Sequence, residues 1–289
     1  MRGGGTIRGL AARFAISTHL FHAERLGREH LAAVAAHGFD AVEVYATRTH
    51  FDYHDPVAAG VLGEWLAGAG LFLHSVHAPT TTGFVGGRWG DTLTIASADE
   101  GQRQLAVAET ITALGLAAVV PYTHLVIHLG VPSAEPSANN RSAIARSLEQ
   151  IVEAAQPVGV TLALELIPNP LSVAARLVQW LEDDLDLGSA GICLDVGHAH
   201  IVGDVMEAVE TCSGHIVTTH LHDNGGKRDD HLIPGKGTID WDGTMMAFQK
   251  VGYDGVQVLE LAPAQDWSGV LERAAVARGK LAQLLEAEL

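Results

Sequence analysis

Side chains that can bind a metal ion stand at or just after the ends of short apolar segments along this chain of 289 residues. In chain order the nine residues are His77, His128, Glu165, Asp195, His198, His220, Asp229, His231 and Glu260. An apolar strand that ends in an imidazole or a carboxylate places a polar group at the rim of a sheet. Several such groups at one rim would desolvate and repel one another unless a cation neutralised them. Imidazole combined with carboxylate suits zinc, manganese, cobalt or iron, so the pattern predicts a metalloenzyme.

The segments that carry these residues alternate regularly with segments of helical period. Short apolar runs occur near 13–17, 41–46, 71–76, 124–129, 160–166, 190–195, 216–222 and 256–261. This repetition predicts parallel strands with right-handed crossovers, and the lack of a Gly-rich turn after the first strand argues against a dinucleotide-binding sheet. We therefore expect a flexible tail over residues 1–12 and a single-domain α/β fold, a (β/α)8 TIM barrel, over 13–289. The strand ends with the candidate ligands would share the rim where barrel active sites lie.

Composition excludes several classes of protein. Eighteen basic against thirty-four acidic residues give a net charge of −16, which disfavours a nucleic-acid groove. The two cysteines, Cys193 and Cys212, form no CxxC pair and are expected to be reduced packing residues. The N-terminus has no continuous apolar segment of the kind a signal peptide needs, and the longest apolar stretch, Leu114–Val120, is too short to cross a membrane. We therefore expect a cytoplasmic protein without a membrane partner.

Several short motifs, taken together and in order, resemble the xylose isomerase-like TIM barrel family, which joins sugar and sugar-phosphate isomerases and epimerases with endonuclease IV. The motifs are His77-Ala78-Pro79, Glu165, Asp195-Val196-Gly197-His198, His220-Leu221-His222-Asp223, the segment 230–237 and Glu260. In the epimerase branch, the resemblance implies one divalent ion held by Glu165, Asp195, His220 and Glu260. In the endonuclease branch, it implies a three-zinc cluster completed by His77, His128, His198, Asp229 and His231. Because all these positions are filled, the number of bound ions stays open between one and three. We expect one Mn²⁺, Zn²⁺ or Co²⁺ ion, because three carboxylates and an imidazole already neutralise and surround it.

The function predicted first is a metal-dependent isomerase or epimerase of a sugar or sugar phosphate, acting by proton transfer through a metal-stabilised enediolate. Glu165 and Glu260 fall on predicted strands five and eight, roughly 135° apart around the ring, and are the candidate acid and base. The alternative for each is a purely ligating role. The second hypothesis is a metal-dependent hydrolase or lyase of the endonuclease IV-like type with a multinuclear zinc cluster. A non-catalytic sugar-binding barrel is the third.

Weaker candidates for substrate binding lie in loops near the predicted rim. They are His19, His50, Trp89, Arg228 and Lys236. Trp89 belongs to a Gly-rich loop, 79–98, that could fold over a substrate or simply cover the rim. The two basic residues follow the seventh apolar run, 216–222, where barrels often bind phosphate. They could bind a phosphate group there or simply form a solvated turn. The resemblance also implies that a homo-oligomer is common.

Overall fold

Eight parallel strands form a closed barrel in the computed structural model, which describes residues 14–133 and 135–287. The strands in chain order are β1 (Phe14–Ser17), β2 (Ala41–Tyr45), β3 (Phe72–His77), β4 (Phe84–Val85), β5 (Arg88–Trp89), β6 (His124–His128), β7 (Thr161–Glu165), β8 (Gly191–Asp195), β9 (Ile216–Leu221) and β10 (Gln257–Leu259). β1 pairs with both β2 and β10, which closes the ring, whereas β4 and β5 form a separate antiparallel hairpin. The predicted (β/α)8 barrel is confirmed. The expected tail, residues 1–12, lies outside the described residues.

Helices follow the barrel strands and cover the outside of the ring. They are α1 (Arg28–Ala36), α2 (Pro56–Ala69), α3 (Glu100–Leu114), α4 (Arg141–Ala155), α5 (Ala174–Gln179), α6 (Val196–Val202), α7 (Val205–Thr211), α8 (Trp241–Lys250) and α9 (Trp267–Glu286). Many of them begin at an Asp or Asn whose side chain accepts a backbone hydrogen bond in the first turn, namely Asp55, Asp99, Asn140, Asp195, Asp204, Asp240 and Asp266. Each such cap stabilises its helix by about 1 kcal/mol. Part of the acidic composition therefore serves to start helices. None of the described helices combines the length and the apolar composition of a membrane span.

The barrel interior changes from apolar to polar toward the carboxyl ends of the strands. Val126, Ala163 and Cys193 pack together as one small buried cluster inside the ring. Because side chains alternate between the two faces of a strand, the next interior positions are occupied two residues further on. On β7 and β8 these positions are Glu165 and Asp195, both fully buried. The strand period therefore places the candidate ligands on the inner face, directly above the apolar layer.

Two loops at the carboxyl ends of the strands have a defined conformation. The hairpin of β4 and β5 turns at Gly86 and Gly87, whose φ angles of 60° and 77° suit a two-residue turn. The loop 222–240 is fastened by Asp223, whose carboxylate accepts hydrogen bonds from Gly235 N at 2.8 Å and Trp241 Nε1 at 2.9 Å. Residues of both loops, Trp89 and the segment 229–231, lie beside the rim.

Candidate metal centre

Four side chains from different strands meet at the carboxyl end of the barrel. His220 Nδ1 lies 3.2 Å from Glu165 Oε1, 3.3 Å from Glu260 Oε2 and 3.7 Å from Asp195 Oδ2. One ligand atom from each of the four lies within 4.8 Å of the others, and all four residues are buried. This group contains the four residues that the family resemblance implied for a single ion.

A second group shares Glu165 with the first. Glu165 Oε2 lies 3.1 Å from His77 Nε2 and 2.9 Å from His128 Nε2. The ring of His77 is fixed because its Nδ1–H donates to the carbonyl of Ala78 at 2.8 Å. The two oxygens of Glu165 therefore face two different sets of imidazoles.

The third group joins helix α6 and the loop 222–240. Asp229 Oδ2 lies 3.0 Å from both His198 Nε2 and His231 Nε2, and His222 completes the group. The rings of His222 and His231 stack with centroids 4.0 Å apart. His231 has a φ of 45°, a conformation that residues other than glycine adopt rarely and that is common at functional sites.

The side chains carry opposite charges that shift one another's protonation. Burial alone would raise the pKa of Glu165, but the charges of His128 and His220 outweigh it and hold that pKa well below its usual range. Burial would lower the pKa of His198, yet Asp195 and Asp229 raise it to about 10. The buried carboxylates are therefore balanced by protons on imidazoles, which a divalent cation would replace. A donor set of buried imidazoles and carboxylates at this spacing fits zinc, manganese or cobalt.

A cavity of about 510 Å³ opens above the three groups, and Glu165, Glu260, His77 and His231 reach its floor. Its wall includes Tyr45, whose hydroxyl lies 3.1 Å from Thr80 Oγ1, and His19, which donates Nδ1–H to the carbonyl of Leu261 at 2.9 Å. Burial, followed by the charge of His231, holds the pKa of His19 well below its usual range. The His19 ring is therefore neutral, and its Nε2 can accept a hydrogen bond.

The hairpin supplies another side of the cavity. Trp89 is 45% exposed and lines it with its ring parallel to that of His19, at a centroid distance of 6.2 Å. A partly exposed indole at a polar cavity offers an apolar face to a small molecule.

Three of the weaker candidates lie away from this cavity. His50 is buried and donates its Nδ1–H to the carbonyl of Glu24 at 2.7 Å. The Arg228 side chain is 82% exposed and pairs with Asp230 at 3.4 Å. Lys236 lines a separate groove against α9, together with Arg273. Among the described residues, the wall of the cavity contains no Lys or Arg.

The structure adds three residues to the predicted site, namely Glu43, Tyr45 and His222. Glu43 and Tyr45 both lie on β2 at interior positions, and an acidic residue within the apolar run Ala41–Tyr45 is the sequence signal for the first. His222 follows His220 by two residues, just beyond the end of β9, and therefore lies on the same side of the chain. The period of two along a strand was the information that could have found them.

A closed parallel barrel with buried histidines and carboxylates at its carboxyl rim defines the class of (β/α)8 barrels with a site at the strand ends. The chain belongs to the xylose isomerase-like TIM barrel family, whose model matches residues 31–281.

Similar known proteins match either most of this chain or only a part of it. An uncharacterized protein of Methanocaldococcus jannaschii, MJ1311, is 30% identical over 264 residues, which are 87% of this chain and 84% of that protein. The inosose isomerase of Bacillus subtilis is 29% identical over 123 residues, 39% of this chain and 44% of that protein. The crystal structure of a D-tagatose 3-epimerase-like protein superposes with a TM-score of 0.76 at 29% identity, over 95% of this chain and 97% of that one.

Proposed function

We propose that the protein is a divalent-metal-dependent isomerase or epimerase of a small sugar. The observation that carries the proposal is the placement of Glu165 and Glu260 on β7 and just after β10, where both line the floor of one cavity. Their carboxylates approach the same nitrogen of His220 from different strands, at 3.2 and 3.3 Å. Two carboxylates arranged in this way suit a reaction in which one removes a proton from carbon and the other returns it.

The group of Glu165, Asp195, His220 and Glu260 would hold the ion. Three carboxylates and one imidazole both neutralise and surround a single divalent cation. When bound, such a cation polarises the carbonyl of the substrate and stabilises negative charge on the adjacent oxygen atoms.

The remaining roles belong to the side chains of this chain. Glu165 and Glu260 move the proton, because both carboxyl groups line the cavity floor. His19 accepts a hydrogen bond from a substrate hydroxyl through Nε2, and the hydroxyls of Tyr45 and Thr80 bind others. Trp89 covers the carbon face of the sugar and limits the access of water.

The similar proteins support the choice of substrate class. They include an inosose isomerase and a D-tagatose 3-epimerase-like protein, and inosose and tagatose are both polyhydroxylated ketones with a C–H beside the carbonyl. Because no Lys or Arg lies among the described residues that line the cavity, the proposal favours an unphosphorylated substrate over a sugar phosphate. The absence of Lys and Arg from the described lining of the cavity, together with the net charge of −16, argues against a nucleic acid as the binding partner.

Hydrogen exchange at carbon tests the proposal. The protein, reconstituted separately with Mn²⁺, Co²⁺ and Zn²⁺, is incubated in deuterated water with ketoses, inososes and ketose phosphates, and loss of a C–H signal is followed by proton NMR. Glu165→Gln and Glu260→Gln should slow exchange about 10²- to 10⁴-fold, since an amide cannot accept the proton. The control is Glu149→Gln on the exposed face of α4, which removes a charge far from the cavity. Full exchange by both cavity variants would refute the two-glutamate mechanism.

A second candidate is a metal-dependent hydrolase or lyase with a multinuclear zinc cluster. The observation that favours it is the presence of three adjacent ligand groups, two of which share Glu165. Such clusters bind and cleave phosphoesters by stabilising attacking and leaving oxygens. Nicking of an abasic-site duplex at moderate salt, abolished by Glu260→Ala, would place this candidate first.

A further inference from the structure

His220 differs from the neighbouring histidines in how its second ring nitrogen is bound. The Nδ1–H groups of His77, His198 and His231 donate to the backbone carbonyls of Ala78, Leu166 and Glu260, so Nε2 faces the ligand groups. In His220 the order is reversed, because Nδ1 faces the carboxylates of its group. Its Nε2 meets the side chain of Glu43 at 3.1 Å.

The carboxylate of Glu43 is fully buried inside the barrel. Its Oε2 accepts a hydrogen bond from Ser75 Oγ at 2.8 Å as well as the contact from His220, whereas its Oε1 has no hydrogen-bond partner among the residues that the structure describes. Burying a carboxylate with one unpaired oxygen is costly, and an apolar side chain on β2 would avoid that cost. Glu43 is not among the residues that line the cavity, so it does not reach a substrate there.

The geometry points to Glu43 as the positioning residue of the metal centre: its carboxylate keeps hydrogen on His220 Nε2, so that the lone pair of Nδ1 faces the cation site. This inference rests on the proposed metal centre and deepens it. An imidazole with hydrogen on one nitrogen can ligate a metal through the other, and the acceptor that binds the N–H selects which nitrogen is free. Ser75 donates to the same oxygen and thereby keeps it an acceptor.

Zinc affinity, measured by competition with a chromophoric chelator for the first equivalent bound, tests the role without using activity. Glu43→Gln keeps the shape of the side chain but removes its charge. The amide oxygen is a weaker acceptor for Nε2–H than a carboxylate, and the amide N–H can face Nε2 instead, which favours the opposite tautomer and turns an N–H toward the carboxylates. We expect zinc binding to weaken 10- to 100-fold. Ser75→Ala keeps the carboxylate and should cost less than Glu43→Gln. The matched control for lost charge is Glu149→Gln, which lies exposed on α4 and should remain within about twofold of wild type.

The tautomer itself can be observed in zinc-loaded protein labelled with ¹⁵N-histidine. Wild type should show a slowly exchanging Nε2–H signal that disappears in His220→Gln, and this readout does not depend on the stability of Glu43→Gln. Unchanged zinc affinity in Glu43→Gln would overturn the inference while leaving the metal centre intact. An Nδ1–H on His220 in zinc-loaded wild type would also overturn it and would remove His220 from the proposed ligands. Failure of wild type to bind zinc would instead remove the metal centre and this inference with it.

Discussion

The carboxylate of Asp195 accepts a hydrogen bond from the backbone N–H of His198 at 2.6 Å and thereby caps helix α6. Its other oxygen, Oδ2, lies 3.7 Å from His220 Nδ1. The cap also directs His198, whose Nδ1–H donates to the carbonyl of Leu166 at 3.0 Å and whose Nε2 faces Asp229. One aspartate therefore starts a helix and contributes to the first group of candidate ligands, while the helix that it starts carries a candidate ligand of the third group.

Two substitutions of Asp195 separate these roles. Asparagine is as good a helix cap as aspartate but has no charge, whereas alanine provides neither. We expect both Asp195→Asn and Asp195→Ala to bind the metal weakly. In metal-free protein, Asp195→Ala should be less stable than Asp195→Asn by about 1 kcal/mol in urea unfolding. Equal unfolding free energies for the two variants would show that the cap at α6 contributes nothing.

The barrel, and the meeting of Glu165, Asp195 and His220 at one rim, could be predicted because each depends on local pattern. Glu165, Asp195 and His220 each end an apolar run, and parallel strands bring such ends to one rim. Helix α6 could not be predicted in the same way. Its segment Val196–Val202 contains a glycine and two histidines, and it is a helix because Asp195 caps it and β9 packs against it.

The metal count can be tested by comparing His220→Ala with His231→Ala. His220 Nδ1 lies between three carboxylates, so its removal should strip the tightest ion. His231 belongs to the third group, so His231→Ala should leave that ion in place and slow turnover or raise KM. The measurement is elemental analysis after reconstitution and desalting, with His215→Ala, whose ring pairs with Glu182 away from the rim, as control.

A different outcome would favour the second candidate function. Three equivalents in wild type, with one lost selectively in His231→Ala, would indicate the cluster of a hydrolase. The hydrolase would then be favoured over the isomerase.

Long-range partners limited what the sequence could show about the site. Glu43 is visible as an acid within an apolar run, but its partner His220 lies 177 residues further along the chain. Only closure of the barrel brings the two together. Likewise, the positions of Arg228 and Lys236 depend on how Asp223 fastens the loop 222–240. The sequence alone therefore left open whether these basic residues bind phosphate or form a solvated turn.

Gly197 should be intolerant of a side chain. A Cβ at this position would overlap the ring of His222, which belongs to the third ligand group. Gly197→Ala should therefore displace His222, destabilise the protein by about 1–3 kcal/mol and weaken any ion in the third group more than one in the first. Gly203→Ala at the end of α6, where a Cβ meets nothing within 4 Å, is the matched control and should be nearly neutral. Equal metal binding by the two variants would contradict the placement of His222.

The stability of metal-free protein should fall as pH is lowered from 6 to 5. Burial lowers the pKa of His22 and of His74 to about 3, and that of His50 and of His124 to about 4. Unfolded histidines have a pKa near 6.5, so in this range the unfolded chain binds protons that the folded protein does not. Each such histidine lowers the unfolding free energy by up to about 1.4 kcal/mol per pH unit.

The histidines with raised pKa, such as His198 and His231, do not reverse this trend. They are protonated in the folded protein throughout this range, and the unfolded chain protonates them as well below pH 6, so their contribution is nearly constant. His74→Gln replaces a buried ring that is hydrogen-bonded to Thr218 by a group that does not titrate. It should reduce the slope of the unfolding free energy against pH by an amount that corresponds to about one bound proton. Urea unfolding of chelator-treated protein at pH 5, 5.5 and 6 measures both slopes. Stability that stays flat across these three pH values in wild type would show that these rings are solvated or protonated in the folded protein.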